Sequence, residues 1–312
     1  MARVQRRGVA DLSGKGHIDK IGRRLVLAVP YVWMLLFFLS PFAIVLAISL
    51  TESRFGVPPY VPLFEWGEQV GLKLNAQFGN YIFLTSDPLY VRALLSSMHI
   101  ATVSAVLCLL VGYPIALGIA RAPARWQTPL LMAIVVPFWT SFLLRVYAWV
   151  GILKTEGLAN GVLMGLGLID QPLPLLHTLF SVHLGIVYSY LPFMVLPIYV
   201  SLERQDPSLL EAAADLGAGG VRAFLTVTLP LSLPGVLAGL MLVFIPAVGE
   251  FVIPDMLGGP ETLMIGKVLW TEFFNNRDWP LASALAVTLL VLLVAPLAWL
   301  ENLRLKREAK QE

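Results

Sequence analysis

Long apolar runs separated by short polar segments fill most of the chain. They cover residues 25–50, 93–120, 129–153, 178–202, 233–253 and 281–300. Each run has about the 17 to 25 residues that an α-helix needs to cross the hydrocarbon core of a bilayer. The pattern predicts an all-α membrane protein with six transmembrane helices in a domain over 25–300, flanked by polar tails at 1–24 and 301–312.

Composition supports this class and narrows the chemistry. Hydrophobic residues make up 57% of the chain and charged residues 13%, with a mean hydropathy of +0.77, which excludes a soluble domain. The single cysteine, Cys108, excludes a disulfide framework, and the four histidines form no HExxH pattern. No GxxxxGK[ST] phosphate loop occurs. We therefore expect no catalytic residue, metal, cofactor or nucleic-acid partner for this chain, and any ATP that drives it must be bound by another chain.

The distribution of basic residues predicts the orientation in the membrane. With six spans both termini lie on one side, and that side carries 15 Lys or Arg residues against 6 on the other. Because cytoplasmic loops are enriched in Lys and Arg, we expect both termini and the loop at 203–231 in the cytoplasm. The polar stretch from Glu52 to Arg92 is then an external loop, with at most a short surface helix.

The 203–231 loop contains signals for a short helix. Asp206 and Pro207 form an N-cap and first position, and Gly217 supplies a left-handed stop. The helical spacing gives an apolar face, which we expect to be packed, and a polar face presented outward. The apolar face carries Leu209, Ala213 and Leu216, and the polar face carries Ser208, Glu211 and Asp215. A second short helix is predicted over Val221–Leu229, separated from the next span by Pro230 and Pro234.

The same loop carries a family resemblance. Glu211-Ala212-Ala213, then Gly217, then Leu229-Pro230 resemble the EAA loop of ABC-importer permeases. In that family the loop forms the coupling helices that dock on the ATPase subunits. The resemblance implies a type I ABC-importer permease fold and an ABC ATPase homodimer that holds ATP and Mg. It implies ATPase-coupling roles for Glu211, Ala212, Ala213, Asp215 and Gly217.

Three further segments are similar to the polyamine branch of these permeases. They are Asp87-Pro-Leu-Tyr90, the run from Trp139 to Trp149, and the run from Phe244 to Pro280. Within that branch the chain most resembles the putrescine permease subunits, which pair with a second homologous permease. The resemblance implies a bacterial inner-membrane importer that receives a polyamine from a periplasmic binding protein and works by alternating access. Spermidine or another small cation remains an alternative cargo.

A polyamine carries at least two positive charges, so its path needs carboxylates, carbonyls or aromatic faces. Glu250 is the leading candidate because a charge within a span usually faces a wet cavity or the protein interior. On straight helices Glu250 and Arg145 lie at matching depths, about 26 Å and about 24 Å from the cytoplasmic ends of their spans. An ion pair between them is an equally weighted explanation for Glu250, and Arg145 is interpreted as structural because a cation repels the cargo. The secondary candidates are Trp139, Tyr147, Tyr188, Tyr190 and, at the outer mouth, Asp255.

Two other classes compete with this interpretation. An intramembrane enzyme would need a nucleophile with a base inside the spans, where Glu250 and Arg145 are nearly the only charges. An ion-coupled secondary carrier usually shows inverted repeats, and none is evident in the sequence. Co-purification of an ATPase would distinguish the importer from both.

Overall fold

The computed structural model describes residues 26–67 and 71–308, so the predicted basic tail at 1–24 lies outside the described residues. The described chain is predominantly helical. Its helices, with the single β-hairpin seen in these residues, are α1 Val26–Ser49, β1 Phe64–Gly67, β2 Gly71–Leu74, α2 Gly79–Ser86, α3 Pro88–Ala120, α4 Ala124–Val135, α5 Phe142–Leu153, α6 Leu158–Gly165, α7 Leu179–Glu203, α8 Ser208–Asp215, α9 Gly220–Val248, α10 Val252–Met256, α11 Ile265–Trp270 and α12 Trp279–Glu308.

Within these residues, four helices are long and apolar enough to cross a membrane. They are α1, α3, α7 and α9, and a fifth span results if the bent pair Ala124–Trp139 and Phe142–Gly165 counts as one. The sixth predicted span falls on α12, whose apolar helix over Trp279–Ala295 is shorter than the others. The six-span count therefore remains a prediction.

The chain divides into two compact units. One contains residues up to Tyr81 together with Asp278–Thr288, and the other contains Ile82–Arg277 with the residues from Leu289 onward. In the first unit the polar stretch that was predicted to be an external loop contains regular structure. β1 pairs antiparallel with β2, and the Asn80 side chain donates hydrogen bonds of 2.9 Å to the carbonyls of Ser49 and Thr51.

The core of the second unit is formed by α3, α7 and α9. Met194 of α7 is fully buried there, and two glycines of the neighbouring helices face it. A Cβ atom at Gly112 would lie 2.9 Å from Met194 Cγ, and one at Gly239 would lie 2.8 Å from its Sδ. Because small residues let helix backbones approach closely, these glycines set the distance between the three helices.

Buried hydroxyl groups also join these helices. Tyr113 of α3 and Ser232 of α9 are 2.9 Å apart, and Ser104 of α3 lies 2.8 Å from His183 Nδ1 of α7. Such bonds satisfy polar side chains that would otherwise lie unpaired in an apolar core.

The predicted boundary between the loop and the fifth span is wrong. Gly220–Val248 is one continuous helix, with a π-helical turn at Phe224–Thr228 immediately before Pro230. Proline lacks an N–H and its ring collides with the carbonyl four residues earlier in a regular α-helix. The wider turn accommodates the ring, so the helix continues where a break was expected.

Candidate functional site

Two helix breaks define the candidate site. The first lies between the 3₁₀ turn Val136–Trp139 and α5. The helical segments on its two sides, Ala124–Trp139 and Phe142–Gly165, are bent by 91° relative to each other. The second lies between the end of α9 at Val248 and the start of α10 at Val252. We predicted continuous spans over 129–153 and 233–253, so both breaks correct the sequence analysis. Broken helices are tolerated in membranes where the freed backbone groups find partners within the protein or line a cavity.

Glu250 lies in the second break and not inside a helix. Its side chain is 8% exposed. Oε1 accepts hydrogen bonds from the backbone N–H groups of Phe251 (3.1 Å) and Val252 (3.0 Å). Oε2 accepts one from the Tyr190 hydroxyl, at 2.5 Å. The carboxylate therefore satisfies the amides that the break leaves free, as a helix cap does, and Oε2 keeps one acceptor position.

Arg145 lies in α5, four residues after the last residue of the first break, and is 9% exposed. Its guanidinium carbon is 4.8 Å from the centre of the Phe138 ring and 5.8 Å from that of Phe142. Nε is buried and has no hydrogen-bond partner. Among the described residues no carboxylate oxygen lies within 4.0 Å of the guanidinium. The hypothesised contact pair with Glu250 is therefore not formed in this structure.

Both charges nevertheless line one cavity of about 390 Å³. Its walls come from both breaks and from the middle of α7. The lining residues are Phe138, Thr140, Phe142, Arg145, Ser189, Tyr190, Phe193 and Glu250. The cavity thus combines a carboxylate, hydroxyl groups and aromatic rings, which are groups that receive an ammonium and an attached hydrocarbon chain.

The other predicted path residues lie in different surroundings. Trp139 is 77% exposed and Tyr147 is 62% exposed, and Tyr188 makes an edge contact with Trp149 at 5.4 Å. Asp255 is 3.1 Å from Lys267 Nζ, so its charge is already balanced by a lysine. Of the candidates named from sequence, the structure brings together Glu250, Tyr190 and Arg145.

Several residues of the cavity were not predicted from the sequence, namely Phe138, Thr140, Phe142, Ser189 and Phe193. Two signals were available. Thr140 and Phe142 lie inside the quoted run from Trp139 to Trp149, and Phe193 is three residues from Tyr190, which places both on one helix face.

The 203–231 loop has the local structure that its caps predict. The N–H of Ser208 donates to Asp206 Oδ1 at 2.9 Å, and this bond lowers the pKa of the Asp206 carboxyl. α8 ends at Asp215, and Gly217, two residues later, has φ +80°. The Ala218 N–H donates to the Ala213 carbonyl at 2.9 Å. This is the expected left-handed helix stop.

Both faces of α8 are exposed, whereas only the polar face was expected to be. Glu211, Ala212, Asp215 and Gly217 are exposed, and Ala213 is half-buried. The apolar face that we expected to be packed is also open, with Leu209 44% and Leu216 88% exposed. Among the described residues, α8 therefore leaves apolar as well as acidic side chains uncovered.

Comparison with known families identifies the chain. The family model described as binding-protein-dependent transport system inner membrane component matches residues 10–303. The chain belongs to this family. It is 42% identical over 222 residues to the spermidine/putrescine transport system permease protein PotB of Escherichia coli (strain K12), covering 71% of this chain and 80% of that protein. Its identity to PotB of Haemophilus influenzae is 36% over 271 residues, covering 87% and 90%.

The fold agrees with the family. A crystal structure of a bacterial ABC transporter involved in the import of the acidic polysaccharide alginate aligns with a TM-score of 0.66 at 14% identity, over 91% of this chain and 96% of that chain. The type I importer fold expected from the sequence is thereby confirmed. The chain is a multi-pass inner-membrane permease subunit, and it is not an enzyme because ATP hydrolysis belongs to a separate ATPase subunit.

Proposed function

We propose that this permease carries a polyamine, putrescine in particular, from a periplasmic binding protein into the cytoplasm by alternating access. It acts with a second homologous permease and an ABC ATPase homodimer that holds ATP and Mg, and both of its own termini are cytoplasmic. The similarity to permeases named for spermidine and putrescine supports the cargo class. Spermidine remains the alternative within that class.

The observation that carries the proposal is the buried Glu250 carboxylate in an aromatic cavity at two helix breaks. An ammonium group gives up its water only where charge and hydrogen-bond acceptors replace it. The free acceptor position on Oε2 supplies one such contact, and the rings of Phe138, Phe142 and Phe193 offer apolar and π surface to a methylene chain. The Ser189 and Thr140 hydroxyls add acceptors at the same cavity.

Coupling to ATP hydrolysis is assigned to α8. Its exposed Glu211 and Asp215, together with the uncovered Leu209 and Leu216, present acidic and apolar groups on a short helix that ends in a left-handed glycine. In this proposal the ATPase homodimer covers these side chains, and movement of α8 with the ATPase is transmitted through α7 and α9, the helices on either side of the loop.

The direct test is ATP-dependent uptake of labelled putrescine into proteoliposomes. They contain this chain, its second permease and its ATPase, with the binding protein outside and unlabelled spermidine or arginine as competitors. Saturable uptake that putrescine blocks better than either competitor is the expected result. A complex that assembles and hydrolyses ATP without taking up putrescine would overturn the cargo while leaving the family intact.

Replacement of Glu250 separates the cargo role from a purely structural one. In Glu250→Gln the amide oxygen still accepts from Phe251 and Val252, so the cap persists while the charge is lost. We expect uptake to fall at least about tenfold, because a charge-assisted hydrogen bond contributes about 1.5 to 3 kcal/mol. Assembly with the ATPase should be unchanged.

Glu261→Gln is the matched control, because Glu261 is an exposed carboxylate outside the cavity. Normal uptake by Glu250→Gln, combined with loss of assembly in Glu250→Ala, would assign Glu250 to capping alone.

A further inference from the structure

Arg145 is the unexplained feature of the cavity. A buried guanidinium normally has a carboxylate or several carbonyls around it, since an uncompensated charge is costly to desolvate. Here the guanidinium lies over the rings of Phe138 and Phe142, at 4.8 Å and 5.8 Å, and Nε is buried without a hydrogen-bond partner. An anionic partner that would satisfy it, Glu250, lines the same cavity without contacting it.

We propose that Arg145 is a tethered competitor of the cargo for Glu250. In this structure its guanidinium lies on Phe138 and Phe142, which leaves the acceptor position on Glu250 open to an ammonium group. When the transporter reorients and the cargo leaves, the guanidinium takes the place of the ammonium group at the carboxylate. This inference rests on the proposed function. In place of the permanent Glu250–Arg145 ion pair that the sequence suggested, it has a pair that forms and breaks during transport.

The chemistry of the side chains permits this exchange. Arginine is permanently charged and has a flexible three-carbon stem with five N–H donors, so it can leave a ring face for a carboxylate without a proton transfer. A cation–π contact and a charge-assisted hydrogen bond to a carboxylate are both favourable for a guanidinium, so the side chain has a partner in either position. Arg145 also stands just after a helix break, where a change of backbone geometry moves it relative to α7.

Two consequences follow for the cargo. First, Arg145 opposes cargo binding, both by repulsion and by competition, so the cavity holds its cargo weakly and releases it. Second, the fixed cation disfavours a second ammonium at the Phe138 and Phe142 end of the cavity. A diamine bound through Glu250 must therefore direct its other charge away from Arg145, which makes Arg145 a specificity-determining residue.

The test is equilibrium binding of labelled putrescine to the purified complex of both permeases and the ATPase, without the binding protein. Arg145→Gln removes the charge, Arg145→Lys retains it, and Arg92→Gln removes an exposed arginine outside the cavity as the matched control. We expect Arg145→Gln to bind putrescine on the order of tenfold more tightly. Arg145→Lys and Arg92→Gln should stay near the wild-type affinity.

A double variant shows whether the competition acts through Glu250. In the Glu250→Gln background the carboxylate charge is absent, so the gain from Arg145→Gln should be much smaller than in the wild type. Unchanged or weaker binding by an assembled Arg145→Gln complex overturns the proposal. So does loss of assembly in Arg145→Gln when Arg145→Lys assembles normally, because the positive charge at this position would then be structural.

Failure of the proposed function has a different signature. The wild-type complex and all variants would then show no saturable putrescine binding, and the competitor role would be rejected along with the cargo. A wild-type complex that binds putrescine while Arg145→Gln binds it equally well rejects the competitor role alone.

Discussion

Gly266 offers a test of whether the second helix break needs its observed geometry. The residue is buried in α11 against the backbone of the break. A Cβ atom added there would lie 2.6 Å from the Glu250 carbonyl oxygen and 2.8 Å from the Gly249 carbonyl carbon. Both atoms belong to the backbone, so no side-chain rotation relieves the contact.

The size of the effect follows from that contact. The Gly249 carbonyl oxygen would lie closer still, so α11 and the break must move apart by about 1 Å to bring the Cβ to an ordinary separation of about 3.4 Å. Overpacking of this kind costs about 1 to 3 kcal/mol. The displacement acts on the segment whose N–H groups bond to the Glu250 carboxylate, so cargo binding should suffer as well as stability.

The assay pairs an apparent unfolding midpoint in detergent with putrescine uptake in proteoliposomes. Gly266→Ala should unfold several degrees lower and lose most of its uptake. Gly151→Ala in α5 is the matched control, because a Cβ there meets no atom within 4 Å. A Gly266→Ala protein with the stability and uptake of the wild type would refute the argument that this close approach positions Glu250.

Two further predictions concern the short helices α8 and α6. Gly217→Val places a β-branched residue at φ +80°, which costs about 1 to 2 kcal/mol and should fray the end of α8. ATP hydrolysis by the complex should then continue while putrescine uptake falls. The control is Gly219→Val, at φ −66°, in which hydrolysis and uptake should stay coupled as in the wild type. Asn160→Leu removes three hydrogen bonds to Thr155 and Leu173 around a fully buried side chain, so we expect a stability loss on the order of 3 kcal/mol. Gly161→Ala is the control, because a Cβ there meets no atom within 4 Å. An unfolding midpoint of Asn160→Leu equal to that of the control would contradict this expectation.

Helix ends were predictable where a capping residue marks them. The predicted span 178–202 corresponds to α7 at Leu179–Glu203, whose N-cap Thr178 forms a capping box with Ser181. The start of α3 was placed at 93 from hydropathy alone, yet the helix begins at Pro88, with Asp87 accepting from Leu89 N–H. The polar Arg92 lowers the local hydropathy without ending a helix. The capping residue Asp87 was therefore the better signal for the start of α3.

The helix breaks could not be predicted from hydropathy. Both lie inside apolar runs of normal spanning length, and a hydropathy profile does not distinguish one straight helix from two bent segments. The prolines and glycines around them, such as Pro137 and Gly249, suggest bending but do not specify its place. The equal depths calculated for Glu250 and Arg145 assumed straight spans, whereas the structure brings them to one cavity through two breaks and leaves them apart.

The position of Glu250 links cargo binding to backbone geometry. A break within an apolar region leaves amide groups that need an acceptor, and Glu250 supplies it to Phe251 and Val252. Under our proposal the same carboxylate receives the cargo ammonium, and Arg145 when the cargo leaves. A cation at the open acceptor position of Oε2 therefore shares one carboxylate with the Tyr190 hydroxyl and with the two amides of the break. Since alternating access requires segments around the cargo to reorient, a carboxylate that caps one of those segments connects occupancy of the cavity to their movement.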